Sequence, residues 1–193
     1  MHDIEPYYYW REEYTAAEDR RSPFYGRRNS ETHFTHKIYN YYIHPQWDAF
    51  GSSTLYGKLL FADYEENYAI LELIGEWNDC LHNDVMYLKR YVIDPLVREG
   101  IYKFILICEH VLNFHGDDDS YYEEWYEDVS EEQGWVVLLN TLEHVCDELK
   151  DTRLHHYLHF GKVFNGINWR PHKPERIYEA IEGLVQTGTR RLY

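Results

Sequence analysis

At 193 residues the chain is long enough to bury a core without disulfide or metal staples, and its 34 Asp and Glu against 19 Lys and Arg give a formal charge of −15. That charge argues against sequence-independent binding of nucleic acid and against docking on an anionic membrane surface. No apolar run approaches bilayer-spanning length, no signal-peptide pattern opens the sequence, and Cys80, Cys108 and Cys146 have neither disulfide-framework nor zinc-ribbon spacing, so the chain reads as soluble and cytoplasmic.

Residues 1–37 carry Tyr7-Tyr8-Tyr9-Trp10, a charged run to Arg21, then Pro23 and Gly26. So many aromatics do not suit a solvating tail. The segment is expected to pack across the main domain or onto a second subunit. Arg20, Arg21, Arg27 and Arg28 form its one dense basic group, read as solvated surface. Lys37 to Ile43 is rich in β-formers and reads as an edge strand, and His44 to Gly51 as a loop. Ser53 to Tyr64 reads as a strand, joined by a hairpin turn at Asp63–Asn67 to an apolar run from Tyr68 to Trp77.

Asn83 to Glu99 then follows helical spacing through Val85, Leu88, Val92 and Leu96. Asn83 is its candidate N-cap, and Pro95 should kink or divide it. A second apolar run spans Tyr102 to Cys108. Tyr121 to Ser130 reads as a helix with Tyr122, Trp125, Tyr126 and Val129 on one face. Trp135 to Asn140 is a third strand, Thr141 to Lys150 a third helix, and Leu154 to Phe160 a weaker, alternating fourth strand. A last helix begins near Pro174 and buries Ile177, Ile181 and Leu184. Strands that lose polar alternation between helical segments indicate crossover units. The fold class is α/β: a mixed, mostly parallel sheet with helices in crossover connections. Residues 1–50 form an aromatic extension and edge strand, and residues 51–193 the α/β domain.

This order resembles STAS domains, the fold of anti-sigma-factor antagonists and of the cytoplasmic part of sulfate transporters. Ile105-Leu106-Ile107 running into Val111-Leu112-Asn113-Phe114 is similar to the family's strand and the loop that carries a phosphorylatable serine. Gly134 to Asn140, followed by Val145, Leu149 and Leu154, looks like the family's helix-ending glycine, next strand and short third helix. The likeness covers roughly 53–184. His115-Gly116-Asp117-Asp118-Asp119-Ser120 replaces the family's Asp-Ser-Ser-Gly turn, so Ser120 is the residue that the resemblance implies for phosphorylation. A phosphate beside three carboxylates is electrostatically unfavourable. The chain is also similar to a bacterial family of about this length to which no activity is assigned.

Ligands of open α/β sheets bind beyond the carboxyl ends of parallel strands. That rule gathers Trp77, Asn78, Asp79, Asn113 and Asn140 onto one ligand or interaction edge. Glu109, His110, His115, Asp117, Asp118 and Asp119 offer carboxylates and imidazoles suited to a divalent manganese, iron or zinc ion, with Asp79 as an additional ligand. The spacing matches neither HExxH nor a calcium loop. The same aspartates also suit the start of a helix at Tyr121, as caps and as charge facing the helix dipole. His110 or His115 is a candidate general base. His155 and His159 would share a face of the fourth strand, with His156 on the other. No nucleophilic triad, P-loop or dinucleotide glycine pattern is present.

The sequence therefore points to a non-enzymatic regulatory or protein-interaction domain that self-associates or binds a protein partner. No cofactor is assigned. The alternative is a small metal-dependent enzyme or metal-binding protein with its site in 109–119.

Overall fold

Eleven consecutive residues, Tyr68–Asn78, form a strand buried on both faces, and the other elements are arranged to cover it. The structure, a computed structural model, describes residues 3–189. Two short strands, β1 (Lys37–Ile38) and β2 (Tyr41–Tyr42), pair only with each other. The main sheet has β3 (Leu55–Asp63), β4 (Tyr68–Asn78), β5 (Lys103–His115) and β6 (Trp135–Leu139) in that spatial order. β3 and β4 are antiparallel, while β4–β5 and β5–β6 are parallel. This is the expected mixed, mostly parallel sheet with helical crossovers.

Between β4 and β5 lie α1 (Asp79–His82), α2 (Asp84–Leu88), a π-helical turn (Lys89–Ile93) and α3 (Asp94–Arg98). The single helix expected here is thus divided. Pro95 sits in the first turn of α3, where its missing N–H costs nothing, and the wide turn before it absorbs the break. Asn83 does not cap. It is left-handed (φ 53°), and Asn78 caps α1 instead by accepting the Leu81 N–H at 2.9 Å. α4 (Ser120–Ser130) and α5 (Glu143–Asp151) complete the same layer. Leu71, Leu73, Phe104, Leu106 and Val136 meet Leu88, Val92, Trp125 and Val145 in that core. Tyr126 is 43% exposed rather than facing the sheet, and packs near Tyr157.

The opposite face carries Ile70, Ile105, Ile107 and Val137, covered by Trp10, Trp169 and α6 (Pro174–Thr189), with Ile177 and Ile181 buried and Leu184 half-buried. The aromatic segment therefore packs across the sheet, with Trp10 in this core and Phe24 in the other.

Three expectations are corrected. The run Lys37 to Ile43 is not an edge strand of the main sheet. Tyr39 turns left-handed (φ 52°) and folds the run into the β1–β2 hairpin. Leu154 to Phe160 is not a strand either. Arg153 (φ 61°) turns the chain into a 3-10 turn at Leu154–His156, leaving one bridge between Val137 and His159. His155 and His156 are consequently adjacent exposed rings 4.3 Å apart. Finally, β5 does not end at Cys108 but continues through His115 with two register shifts, so 109–115 is strand rather than loop.

Gly75 marks the closest approach in the sheet. Its φ is +122°, and a Cβ there would lie 2.1 Å from the Thr54 carbonyl oxygen. Gly75→Ala should cost roughly 2–3 kcal/mol through backbone strain and loss of that approach. Urea unfolding checks this, and an unchanged midpoint would contradict it.

Candidate functional site

The extension of β5 matters because of where it puts polar side chains. Ile107 pairs with Glu72 but His110 with Ile74, so β5 spends an extra residue around Cys108 and Glu109. Cys108 stays in the helical-layer core, whereas Glu109 and His110 reach groups on the face covered by the N-terminal segment. There they meet Glu72 of β4 and Arg170 from the loop before α6.

Glu72 is only 1% exposed. Its Oε2 accepts the Tyr7 backbone N–H at 2.8 Å. Its Oε1 lies 3.8 Å from Arg170 Nη2 and 3.9 Å from His110 Nε2. Burial pushes the Glu72 carboxyl up to about 7, against the opposing pull of the Tyr7 N–H and Arg170. Glu109 is treated differently by its surroundings. Burial again acts upward, but Arg170 at 2.6 Å, Asn140 Nδ2 at 2.7 Å and Trp169 Nε1 at 2.9 Å outweigh it and hold the carboxyl below its usual range. His110 is held below its ordinary value, chiefly by burial and further by Arg170. Two carboxylates thus flank one guanidinium with opposite shifts. Glu109 stays ionised, and Glu72 can hold a proton near neutral pH beside an uncharged imidazole. Chemically this is the separation that acid–base pairs require, and it also arises in structural ion networks.

Further along the same strands, Glu76 Oε1 accepts Asn113 Nδ2 at 3.1 Å, and Glu76 Oε2 accepts the Tyr39 hydroxyl of the hairpin. Asn140 bonds Glu109 and the Ile167 carbonyl and accepts the Ile167 N–H, so it joins the Glu109 cluster.

The remaining residues read from sequence lie elsewhere. Trp77, Asn78 and Asp79 are buried at the end of β4. Asp79 accepts the Trp77 indole N–H at 3.1 Å, the Val85 N–H at 2.8 Å and the Tyr122 hydroxyl at 2.5 Å, while burial raises its pKa to about 6. Asp84 beside it accepts Ser52, Thr54 and the Asn78 N–H. This network fastens α1 and α2 to the strand end. His115 sits 3.7 Å from Glu148. Asp117, Asp118 and Asp119 are exposed. Asp118 Oδ1 accepts the Ser120 N–H at 2.9 Å and the Ser120 hydroxyl, and Asp119 accepts the Tyr157 hydroxyl at 3.0 Å. The residues read as metal ligands are therefore spread over three places. Among the described residues, no three His, Cys, Asp or Glu are grouped to hold a metal ion.

Glu72, Glu76, Tyr39 and Arg170 were not singled out from sequence. Glu72 and Glu76 did carry a signal, as the two charges within an otherwise apolar strand, four apart and so on one face. Arg170 carried none, because its partners are 61 or more positions away.

No protein-family model matches the chain, and no curated protein sequence matches it. Among solved structures, a proposed anti-sigma factor antagonist from Thermotoga maritima is similar at a TM-score of 0.43 and 16% identity, covering 64% of this chain and 92% of that one.

The Glu72 shift gives a pH signature. A carboxyl whose folded pKa is raised contributes stability that is fully present below its unfolded value of 4.5 and is lost as pH rises through about 7. Glu72→Gln should remove this negative slope. Above that window the variant should be more stable than the parent by about 1–3 kcal/mol. Denaturant unfolding across pH checks this, and an unaltered slope would refute it.

Proposed function

We propose that this chain is a non-enzymatic protein-interaction domain whose contact surface is the β1–β2 hairpin. The observation that carries the reading is an exposed aromatic group. Phe34, Tyr39, Tyr41 and Tyr42 are 38%, 58%, 68% and 45% exposed, although Ile38 and Ile43 of the same hairpin are fully buried. Phe34, Asn40, Tyr41 and Tyr42 line a shallow hollow of about 410 Å³. Tyrosines give large contact area at little conformational cost, and contiguous exposed aromatics usually mark contacts. The Tyr39 hydroxyl, bonded to Glu76, holds the hairpin on the carboxyl half of the sheet.

Charge supports a form for the interaction. The hairpin, residues 37–42, carries Lys37 and no acidic residue, within a chain of net charge −15. The hairpin is thus a locally basic, aromatic patch on an acidic molecule. Its complement is an acidic surface, and a second copy of the chain offers one away from the hairpin. Self-association is then head-to-tail, hairpin against acidic body, and sensitive to salt.

Light scattering on the size-exclusion eluate tests this. The expected result is a mass above the monomer's at high protein concentration and low salt, falling toward the monomer at high salt and in a Tyr41→Ser, Tyr42→Ser variant. Both side chains are exposed, so the variant should keep its unfolding free energy within about 0.5 kcal/mol of the parent's. A monomer under all these conditions overturns self-association.

A further inference from the structure

A second feature has no part in the hairpin surface. Between the N-terminal segment and β3 lies a cavity of about 180 Å³. Its volume is close to the ~150 Å³ of an engineered cavity that holds benzene. Trp10, Tyr14, Phe24 and Leu59 give the lining its aromatic and aliphatic part. The same lining carries three cations, Arg11, Arg27 and Lys58, with the Arg27 guanidinium 4.9 Å from the centre of the Phe24 ring.

Few contacts occupy the two guanidinium groups. Among the described residues, Arg11 and Arg27 form no ion pair. Arg11 makes one long bond to Gln46 Oε1 at 3.5 Å, and Arg27 donates to the Ala49 carbonyl. Lys58 does have a partner. Its Nζ lies 2.9 Å from Asp48 Oδ2 as an ion pair without a hydrogen bond, and donates one of its three N–H groups to the Gln46 carbonyl at 3.0 Å. Asp48 is 2% exposed, and its other oxygen accepts Asn29 Nδ2 at 2.7 Å, so this wall is built and braced. The cavity lining therefore holds three positive charges and one negative.

We infer that this cavity binds a small organic monocarboxylate. Two guanidinium forks and the Lys58 ammonium suit a carboxylate head, and the aromatic part of the lining suits its apolar body. The buried Asp48 opposes a dianion, which favours a single charge over phosphate.

Benzoate is the probe, titrated calorimetrically into the full chain, with benzamide as the uncharged match and inorganic phosphate as the bare anion. Saturable binding of one benzoate per chain is expected, with benzamide at least tenfold weaker. Arg11→Gln and Arg27→Gln should each weaken benzoate at least tenfold, whereas Arg98→Gln, exposed on α3 and outside the cavity lining, should not. Both arginines are exposed, so the variants should fold, and the benzoate–benzamide comparison needs no variant. Absence of saturable benzoate binding overturns the inference. So does equal binding of benzamide, phosphate as strong as benzoate, or undiminished affinity in the Arg11→Gln, Arg27→Gln double variant.

Discussion

Complete burial of β4 is the constraint on which the rest of the structure depends. A strand covered on both faces cannot leave a polar side chain without a partner, because an unpaired buried donor or acceptor costs about 1–3 kcal/mol and a buried charge costs more. β4 nevertheless carries Glu72, Glu76 and Asn78. Each recruits a different part of the chain: Glu72 takes the Tyr7 N–H, Glu76 takes Tyr39 and Asn113, and Asn78 caps α1 while donating to Asp84. The N-terminal segment, the hairpin and the first helical layer are thus tied to one strand by its polar residues, in addition to the apolar packing of Trp10 and Phe24.

The same constraint explains why Glu72 and Glu109 behave differently although one arginine touches both. Arg170 is 2.6 Å from Glu109 but 3.8 Å from Glu72. Glu109 also receives Asn140 and Trp169, whereas Glu72 receives one backbone N–H. Hydrogen bonds to the ionised form decide the shift in one case and desolvation in the other. The register shift in β5 makes this possible by turning both Glu109 and His110 toward Glu72, where strict alternation would have sent one of them into the helical core.

Strand order and helical layers were legible because they rest on local signals: apolar runs, Pro95 and hairpin chemistry. The two segments misread as strands failed at Tyr39 and Arg153. Each adopts a left-handed conformation that a bulky side chain rarely takes and that no propensity marks. The end of β5 was misread because Glu109, His110 and Asn113 look like loop residues. They sit in a strand because Arg170, Glu72 and Glu76, from other parts of the chain, satisfy them. Asn113 and Asn140 bond Glu76 and Glu109, but Glu72 lies mid-strand, where the strand-end rule does not look. Asp118 and Asp119 are adjacent in sequence, yet one bonds Ser120 and the other Tyr157, which adjacency cannot reveal.

The allocation of cations in so acidic a chain follows the same logic. Lys89 is fully buried, and Asp94 and Asp128 surround its ammonium at 2.5 Å each, with Glu124 at 3.5 Å. Burial alone would lower its pKa, but the carboxylates outweigh burial and raise it. Arg90 forks onto Glu124, and Lys103 pairs with Glu182. Pairing is not general, however: among the described residues Arg11, Arg20, Arg21, Arg27, Arg28, Lys37, Arg98, Arg153 and Lys162 form no ion pair, and six of these nine lie within the first 37 residues. Arg11 and Arg27 line the cavity between the N-terminal segment and β3, where both are exposed. Because neither gives up a carboxylate partner, an anion held there would displace only weak contacts, the 3.5 Å bond from Arg11 to Gln46 and the bond from Arg27 to the Ala49 carbonyl.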